Sequence, residues 1–521
     1  MMRADALKRS GYALATATLA AVGFSAAAEP TVELRDACFF DQPDDPALPE
    51  PSCGYVIVPE DPDRPEGRVV KLGFMRLAAR TAQPSAPLFM LAGGPGQSLI
   101  GAETLMLFAD AFLGPILDSR DVVILDQRGP PNSVPVLDCP AMYDFAWEAH
   151  ERGLDEAQTL EAGRGLLAAC VADARAAGVD LAQYNSVRIA ADVDAARRAL
   201  GYERIVYYGA SYGAQLGQHV MRDFPAMLEA VILDGANSLS RKSWVEDRVR
   251  DADDAMKALA ALCAADARCA EAYDVSALVE QAMALFDEGP IETSYTDPAD
   301  PATTIPLSLT ETDLASTIFS FQTGQIGIRS LPAILAAIVA EGRTSAAAIL
   351  GDIKGSAVLA SREATQGGEA MLMHMAVVCS DDPVRSADDM QVDPGASRYA
   401  VTYGHSVLEQ YIEFCRAVDV PSLPDSTDVD VSTDVPTLIL AGTLDARTPA
   451  LRSEIVAWAL PRAILVEFPE GTHVQLGEIN LCAGQIVRAF LSDPGGAPDT
   501  GCTADMPRRG FALPDGSNSI E

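Results

Sequence analysis

The fold is decided by a nine-residue stretch, IVYYGASYG, at residues 205–213. Its apolar first part predicts a buried strand, and the residues from Tyr212 onward predict a helix. Between them, Gly209 and Gly213 flank Ser211. A serine at a sharp strand-to-helix turn needs small residues two positions away on each side, because larger side chains would collide with the neighbouring backbone. The stretch therefore predicts a nucleophile elbow at Ser211; a structural turn with an inert serine is the alternative.

Strand and helix patterns alternate on both sides of this stretch. Short apolar runs predict buried strands at residues 69–77, 87–92, 122–126, 204–209, 230–233, 436–442 and 463–468. Helical patterns, such as residues 190–200, lie between several of them. This alternation predicts an α/β fold, with a mostly parallel central sheet flanked by helices.

The middle third of the chain has a different pattern. From residue 238 to about 430, Ala-rich helical segments dominate and strand patterns nearly vanish. We therefore expect residues 29–237 to form the first part of an α/β core and residues 238–430 to form an inserted helical cap. Residues 431–521 would complete the core and end in an irregular C-terminal strap.

The N-terminus and the charge restrict where the protein acts. Arg3, Lys8 and Arg9 precede an apolar run at residues 12–24, and small residues follow up to Ala28. This pattern predicts a signal peptide at residues 1–28, cleaved after Ala28, and a secreted or periplasmic product without stable membrane insertion; an N-terminal membrane anchor is the alternative. The 521 residues include 74 Asp and Glu against 38 Lys and Arg, a net charge of −36, which disfavours nucleic-acid binding.

The ten cysteines are even in number, which suggests disulfides in an oxidising compartment. Nearest-neighbour pairing is the simplest connectivity, although spacing alone leaves others open: Cys38 with Cys53, Cys139 with Cys170, Cys263 with Cys269, Cys379 with Cys415, and Cys482 with Cys502. The five histidines lack metal-ligand spacing, so no metal or organic cofactor is expected.

A nucleophilic serine needs a base, and the base needs an orienting carboxylate. After an elbow of this type the acid is expected beyond a late strand, and the histidine in the loop after the next strand. Asp445 and His473 stand at these positions. His219 and His374 are the alternative bases, and Asp234 is the alternative acid.

The tetrahedral intermediate of acyl transfer needs two N–H donors for its oxyanion. We expect one from Tyr212, directly after the serine. Glycines in the sequence GGPG at residues 93–96 permit close backbone approach, and Gly94 is the predicted second donor. A plain turn is the alternative for this segment.

Taken together, these residues resemble the α/β-hydrolase superfamily, and within it the prolyl aminopeptidases and secreted tripeptidyl-aminopeptidase-like enzymes. The matching motifs are GGPG at 93–96, DQRG at 126–129, GASYG at 209–213, GTLD at 442–445, GTH at 471–473 and the segment from Cys482 to Cys502. The resemblance covers nearly the whole mature chain and implies a helical cap inserted before the strand that bears the acid. It also implies a Cys-x-Asp motif in that cap, which residues 379–381 match.

An enzyme that acts at a free N-terminus must bind an ammonium group, and carboxylates do this by charge-assisted hydrogen bonds. Asp381 is the candidate that the resemblance favours, and Asp382 and Glu413 are the alternatives. The leading hypothesis is a serine aminopeptidase, of prolyl or tripeptidyl type, whose substrates are peptides with a free N-terminus. A carboxylesterase acting on small esters or amides is the first alternative, and a non-catalytic binding protein of the same fold is the second.

Overall fold

The computed structural model describes residues 29–41, 48–108, 112–363, 369–478 and 480–520. The predicted signal peptide at residues 1–28 lies outside them. Within these ranges, no helix combines the length and the apolar character that crossing a bilayer requires.

Nine of the described strands form one central sheet, and two form a separate hairpin. The strands are β1 (Thr31–Leu34), β2 (Ser52–Pro59), β3 (Val69–Leu77), β4 (Ser85–Leu91), β5 (Arg120–Leu125), β6 (Ile205–Ala210), β7 (Leu228–Asp234), β8 (Ile291–Thr296), β9 (Thr304–Leu309), β10 (Thr437–Gly442) and β11 (Ala463–Phe468).

Helices cover the sheet and build most of the segment between β7 and β10. They are α1 (Ala102–Phe108), α2 (Gly114–Ile116), α3 (Ala141–Glu151), α4 (Glu156–Ala176), α5 (Ser186–Ala199), α6 (Tyr212–Asp223), α7 (Arg248–Ala265), α8 (Ala267–Ala272), α9 (Val275–Ala284), α10 (Glu311–Gln322), α11 (Gln325–Val339), α12 (Arg343–Glu363), α13 (Met371–Asp381), α14 (Arg398–Val418), α15 (Ala450–Ala459) and α16 (Leu481–Ser492).

The central sheet has the strand order β1-β2-β3-β5-β4-β6-β7-β10-β11. The pairs from β5 to β11 are parallel, and β1, β2 and β3 add an antiparallel edge. All six residues of β6 are buried, and successive side chains enter two different cores: Tyr207 packs with residues of α5 and α6, whereas Tyr208 packs with residues of α16. A strand covered on both faces needs apolar residues at every position, which explains its unbroken apolar sequence. The predicted α/β class, with a mostly parallel sheet flanked by helices, is confirmed.

The chain between β7 and β10, which we call the inserted segment, forms the helices α7 to α14 and the hairpin β8-β9. The hairpin is a difference from the helical pattern expected there. Strand β9 buries every second residue and exposes the others, and β8 buries Ile291 and Tyr295 with Thr293 half-buried between them. This short polar-apolar alternation is a weak pattern beside the long Ala-rich helices. Helix α13 differs in another way, because its side chains pack in the same apolar cluster as β4 and β6 rather than in the main cluster of the inserted segment.

Disulfides join all ten cysteines in the predicted nearest-neighbour order. The bridge between Cys379 and Cys415 joins α13 to α14 within the inserted segment. The bridge between Cys482 and Cys502 attaches the C-terminal strap to α16. These covalent links hold segments at the ends of the insertion and of the chain against the packed core.

Candidate active site

The turn between β6 and α6 places Ser211 in a strained backbone conformation. Its φ is 55° and its ψ is −119°, outside the regions that ordinary side chains favour. The Ser211 N–H donates to the carbonyl oxygen of Asp234 at the end of β7, over 2.8 Å. The turn is therefore fixed by the neighbouring strand, and the serine lies at the carboxyl edge of the sheet.

Two glycines make this turn sterically possible. A Cβ atom added to Gly209 would lie 2.0 Å from the carbonyl oxygen of Gly213, and one added to Gly213 would lie 2.8 Å from the carbonyl oxygens of Leu91 and Ala92. Any side chain at either position would force the backbone apart. This close packing is the physical reason for the Gly-x-Ser-x-Gly pattern.

Asp445 and His473 come together from the loops after β10 and β11. The Nδ1 atom of His473 lies 2.8 Å from Oδ2 of Asp445, in a hydrogen bond between side chains that are almost fully enclosed. The other carboxylate oxygen, Oδ1, accepts the backbone N–H groups of Arg447 and Thr448 over 2.8 and 2.9 Å. The carboxylate is thus held by its own turn and presents its second oxygen to the imidazole.

The charge of Asp445 is well compensated. Burial by itself would raise the pKa of this carboxyl, but the His473 charge and the hydrogen bonds of His473 and Thr448 outweigh burial and hold the pKa below its usual value of 3.8. Asp445 therefore remains a carboxylate near neutral pH, as a group that orients and stabilises an imidazolium must.

The loops of Ser211 and His473 meet at Asp234 and Gly235. The Asp234 carbonyl accepts the Ser211 N–H, and a Cβ atom on Gly235 would lie 3.4 Å from the imidazole of His473. In the described part of the chain, no hydrogen bond joins the Ser211 hydroxyl to His473. Such contacts are often long in unliganded enzymes and tighten when substrate binds.

The predicted oxyanion segment lies directly against the serine. A Cβ atom on Gly93 would lie 2.8 Å from the Ser211 Cβ, so the loop passes within contact distance of the hydroxyl-bearing carbon. Gly94 has φ of 101°, which favours glycine. Tyr212 begins α6, where the first N–H groups have no acceptor within the helix. Both predicted segments therefore lie next to Ser211, and the oxyanion role of the Gly94 and Tyr212 N–H groups stays a prediction.

Asp234, the alternative acid, is placed differently. Its carboxylate is fully buried and accepts the backbone N–H groups of Gln475 and Leu476 over 2.7 and 3.0 Å and the hydroxyl of Tyr208 over 3.1 Å. Burial raises its pKa to about 6, against these hydrogen bonds. The carboxylate thus anchors the loop that follows His473, whereas the hydrogen bond to the imidazole itself comes from Asp445.

The alternative bases lie in other surroundings. His219 is buried on α6, and burial lowers its pKa to about 3. His374 lies on α13, 3.1 Å from the carbonyl oxygen of Pro95 and 2.8 Å from the hydroxyl of Tyr411. Burial would lower the pKa of His374, but Tyr411 and Glu369 outweigh it and raise the pKa to about 10. Neither histidine contacts Asp445 among the described residues.

The three carboxylates considered for the substrate amine differ in their partners. The two oxygens of Asp381 accept hydrogen bonds from the hydroxyl and the backbone N–H of Ser186, whose hydroxyl oxygen lies 2.7 Å from the Tyr212 hydroxyl. Asp382 accepts a short hydrogen bond of 2.5 Å from Arg241. Glu413 forms ion pairs with two arginines, Arg164 and Arg416. Only the Asp381 carboxylate is buried beside Tyr212 without a cationic partner in the described chain.

Two polar residues near the site were not singled out from the sequence. The Thr448 hydroxyl donates to Oδ2 of Asp445 over 2.7 Å and lies 3.1 Å from Nδ1 of His473. Glu478 accepts the Thr472 N–H, and its Oε1 is buried without a hydrogen-bond partner in the described residues. Burial raises the pKa of Glu478 to about 7. Thr448 could have been suspected from its position in the turn after Asp445, whereas no local pattern marks Glu478.

The described residues contain no group of three or more His, Cys, Asp or Glu side chains placed to hold a metal ion. At the sheet edge lie a strained serine, an oriented imidazole, a buried carboxylate and backbone N–H groups. Together these groups can perform acyl transfer through a serine nucleophile.

Comparisons with known proteins show what the chain is similar to. The family model for the alpha/beta hydrolase fold matches residues 86–478. The chain is 27% identical to the serine protease Hip1 of Mycobacterium tuberculosis over 461 residues, which cover 84% of each chain. It is also 27% identical to a tripeptidyl aminopeptidase of Streptomyces coelicolor over 205 residues, 38% of each chain.

Among solved structures, a proline iminopeptidase of Mycobacterium smegmatis matches with 16% identity and a TM-score of 0.39, covering 82% of this chain and 95% of that one. The family match spans most of the sequence, including the segments of Ser211, Asp445 and His473. The chain belongs to the alpha/beta hydrolase fold family.

Proposed function

We propose that this protein is a serine aminopeptidase that acts outside the cytoplasm and releases short fragments, of prolyl or tripeptidyl type, from peptides with a free N-terminus. The observation that carries the proposal is the hydrogen bond between Asp445 and His473 beside the strained turn of Ser211. The names of the curated relatives support peptide bonds as the target. The five disulfides and the predicted signal sequence ending at Ala28 support a location in the periplasm or beyond.

In the proposed reaction, the Ser211 oxygen attacks the scissile carbonyl while Nε2 of His473 takes the hydroxyl proton. Asp445 holds the Nδ1–H group of the imidazole and stabilises the imidazolium. The N–H groups of Gly94 and Tyr212 bind the oxyanion. The imidazolium then protonates the leaving amine, and an acyl-enzyme ester forms on Ser211. Water, deprotonated by the same imidazole, attacks this ester and releases the N-terminal fragment and the free serine.

Asp381 is the proposed recognition group for the substrate ammonium. Burial raises the pKa of this carboxyl to about 7, against the hydrogen bonds of Ser186. Asp382 and Glu413 already have guanidinium partners, whereas Asp381 has none among the described residues. An ammonium group bound at Asp381 would supply the missing positive charge and favour the ionised carboxylate.

A fluorophosphonate probe tests the nucleophile. The mature protein should be labelled at Ser211, and Ser211→Ala should abolish labelling, because only a base-activated serine reacts readily. Ser330→Ala, on α11, serves as the matched control and should be labelled like the wild type. Labelling that persists in Ser211→Ala would overturn the assignment.

Pairs of free and N-acetylated peptide amides test the aminopeptidase class. Acetylation removes the positive charge, so we expect kcat/KM to fall by about thirtyfold or more. The ratio of free to acetylated rates should shrink in Asp381→Asn. Equal rates for both peptides in the wild type would replace the proposal by an esterase or endopeptidase. A preference that survives in Asp381→Asn would keep the class and move the amine site to Asp382 or Glu413.

A further inference from the structure

A cavity of about 240 Å³ lies between the inserted segment and the core, next to the Asp445 turn. Its wall is formed by the chain after β7, the start of α7, the turn after β10 and part of α15. We call it the arginine cavity, after the five guanidinium side chains in its wall: Arg241, Arg248, Arg250, Arg447 and Arg452. Trp244 is also part of the wall.

Three of these arginines are neutralised by carboxylates. Their ion pairs are Arg241 with Asp382, Arg250 with Asp393 and Asp247, and Arg452 with Asp247 and Asp251. The remaining acidic side chain of the wall, Glu246, accepts hydrogen bonds from the backbone N–H of Lys242 and the side-chain amide of Gln391. The acidic groups of the wall therefore have donors of their own.

Arg248 and Arg447 are different, because within the described chain neither guanidinium has a carboxylate within 4.0 Å or a hydrogen-bond acceptor. Arg447 lies over the ring of Phe319, with 5.9 Å between its guanidinium carbon and the ring centroid. Both guanidiniums act on Tyr403: burial raises the pKa of this phenol, and the two positive charges oppose that rise. Both residues belong to the cavity wall, one at the start of α7 and the other in the turn after β10.

A third donor in the wall also lacks a partner. The Nε atom of Arg241 is buried without a hydrogen bond in the described residues, while its guanidinium lies over Trp244 at 4.6 Å. In a chain with a net charge of −36, carboxylates are abundant, so unmatched arginines are not explained by a shortage of acidic residues. Arg447 is exposed and Arg248 is half-buried, so water can meet their donors in the free protein, whereas the buried Nε of Arg241 has no hydrogen bond within the described residues. A carboxylate that reached Arg248 and Arg447 would replace that water by charge-assisted hydrogen bonds.

The cavity is structurally connected to the proposed catalytic residues. The backbone N–H of Arg447 donates to the carboxylate of Asp445. Because the two residues are two positions apart in the sequence, their Cα atoms lie within about 8 Å of each other, at 3.8 Å per residue. On the other side, the Trp244 ring packs edge-to-face against His374, with 5.9 Å between centroids. His374 in turn lies against Pro95 in the predicted oxyanion loop. The substrate in this proposal is a peptide that extends from Ser211 towards the Asp445 turn, at roughly 3.3 Å per residue of extended chain.

We propose that Arg248 and Arg447 bind a carboxylate of the peptide substrate, either an acidic side chain or the C-terminal carboxylate. The planar guanidinium presents paired N–H donors that match a carboxylate, so this site would select for an acid at one fixed position of the substrate. This inference rests on the proposed peptidase function. It adds a specificity site, built from the inserted segment and the core together, to the proposed amine site at Asp381.

The test uses the mature protein and peptide amides with a free N-terminus. Asp and Asn are exchanged at each position in turn, and the C-terminal acid is compared with the amide. Because Asp and Asn have the same shape, their kcat/KM ratio isolates the charge. We expect one position, or the C-terminus, at which the acid is preferred by about tenfold or more.

The preference should fall towards one in Arg248→Gln and in Arg447→Gln, because each variant removes one guanidinium. Arg248→Lys keeps the charge without the paired donors and should retain part of the preference. Arg416→Gln removes a surface arginine that pairs with Glu413, and it should keep the full wild-type ratio. Loss of the preference in Arg416→Gln as well would show a general charge effect and overturn the site.

The outcomes separate this inference from the proposed function. Free peptides cleaved without any acid preference would overturn the arginine site and leave the aminopeptidase intact. Failure to cleave any peptide, with hydrolysis of aryl esters retained, would instead overturn the proposed function. Succinate is the probe for a free ligand: if it raises the Tm of the wild type but not of Arg248→Gln while peptides show no preference, the cavity binds a free carboxylate and the substrate assignment is wrong.

Discussion

The turn after β10 and the end of α13 both bury a carboxylate, and they compensate its charge in different ways. Asp445 accepts backbone N–H groups from its own turn and faces His473, and its pKa is held below the usual value despite burial. Among the described residues, Asp381 accepts hydrogen bonds only from Ser186, on a distant helix, and burial raises its pKa to about 7. The core thus supplies a complete set of partners for its carboxylate, whereas the inserted segment leaves one incomplete.

This difference matches the roles that we propose for the two residues. A residue that orients a base must be ionised and positioned before substrate arrives, so its partners belong to the protein. A residue that binds a cation gains most when its missing partner is the ligand. Asp445 fits the first description and Asp381 the second. Three experiments test whether the two carboxylates differ in this way.

The largest effect is expected at Asp445. Asp445→Asn should lower kcat by about 10⁴-fold, because the amide cannot hold the imidazole in the required tautomer or stabilise its charged form. Asp234→Asn should instead act on stability, lowering the free energy of unfolding by about 1–3 kcal/mol, because Asp234 accepts two buried backbone N–H groups of the loop after His473. Steady-state kinetics and denaturant unfolding of both variants measure the two effects.

If Asp234→Asn lost activity more severely than Asp445→Asn at equal stability, the acid of the triad would be Asp234. The contrast between the two carboxylates would then be reversed, and the hydrogen bond from His473 to Asp445 would be structural.

A smaller effect is expected at Thr448, which completes the partners of Asp445. Thr448→Val removes the hydroxyl with little change in shape, and we expect kcat to fall by about tenfold or more, because one hydrogen bond to the carboxylate is lost. Thr448→Ser restores the hydroxyl and should restore most of the activity. Wild-type kcat in Thr448→Val would mean that the backbone N–H groups alone suffice to position Asp445.

The smallest effect is a pH dependence of stability at Asp381. Its pKa is about 7 in the folded protein against the usual 3.8, so the folded state keeps a proton that the unfolded chain releases. The contribution of this carboxyl to the free energy of unfolding is fully present below about pH 4 and is lost as the pH rises through about 7. The side chain of Asp381→Asn cannot ionise. The difference in free energy of unfolding, variant minus wild type, should therefore increase by about 1 kcal/mol or more from pH 5 to pH 8.

Thermal or denaturant unfolding at both pH values measures this gain. Asp382→Asn is the comparison, because it removes a carboxylate that already has Arg241 as its partner. This variant leaves a guanidinium unpaired and should be destabilised at both pH values. An equal stability difference between wild type and Asp381→Asn at pH 5 and pH 8 would show that Asp381 is ionised throughout and has another partner.

Local sequence determined the features that depend on neighbours along the chain. The unbroken apolar pattern of β6 follows from burial on both faces, and the glycines around Ser211 follow from steric contact within one turn, so the amino-acid sequence alone predicts both. The order of Ser211, Asp445 and His473 is predictable as well, because parallel strands bring their carboxyl ends to one edge of the sheet. The disulfide pairing was also predicted correctly, since each bridge joins nearest neighbours in the sequence.

Which charged groups lack a partner in the described chain depends on contacts between segments that are distant in the sequence. Asp381, Asp382 and Glu413 are all acidic residues, and their sequence positions do not show which of them lacks a cationic partner. The fold brings Arg241 to Asp382 and Arg164 to Glu413, whereas within the described chain Asp381 receives only Ser186. The arginine cavity and the hairpin β8-β9 also depend on packing between segments that are distant in the sequence. Desolvation and ion pairing act through space over a few ångströms. The groups that come this close are often more than a hundred residues apart in the sequence. No local sequence pattern can therefore predict these contacts.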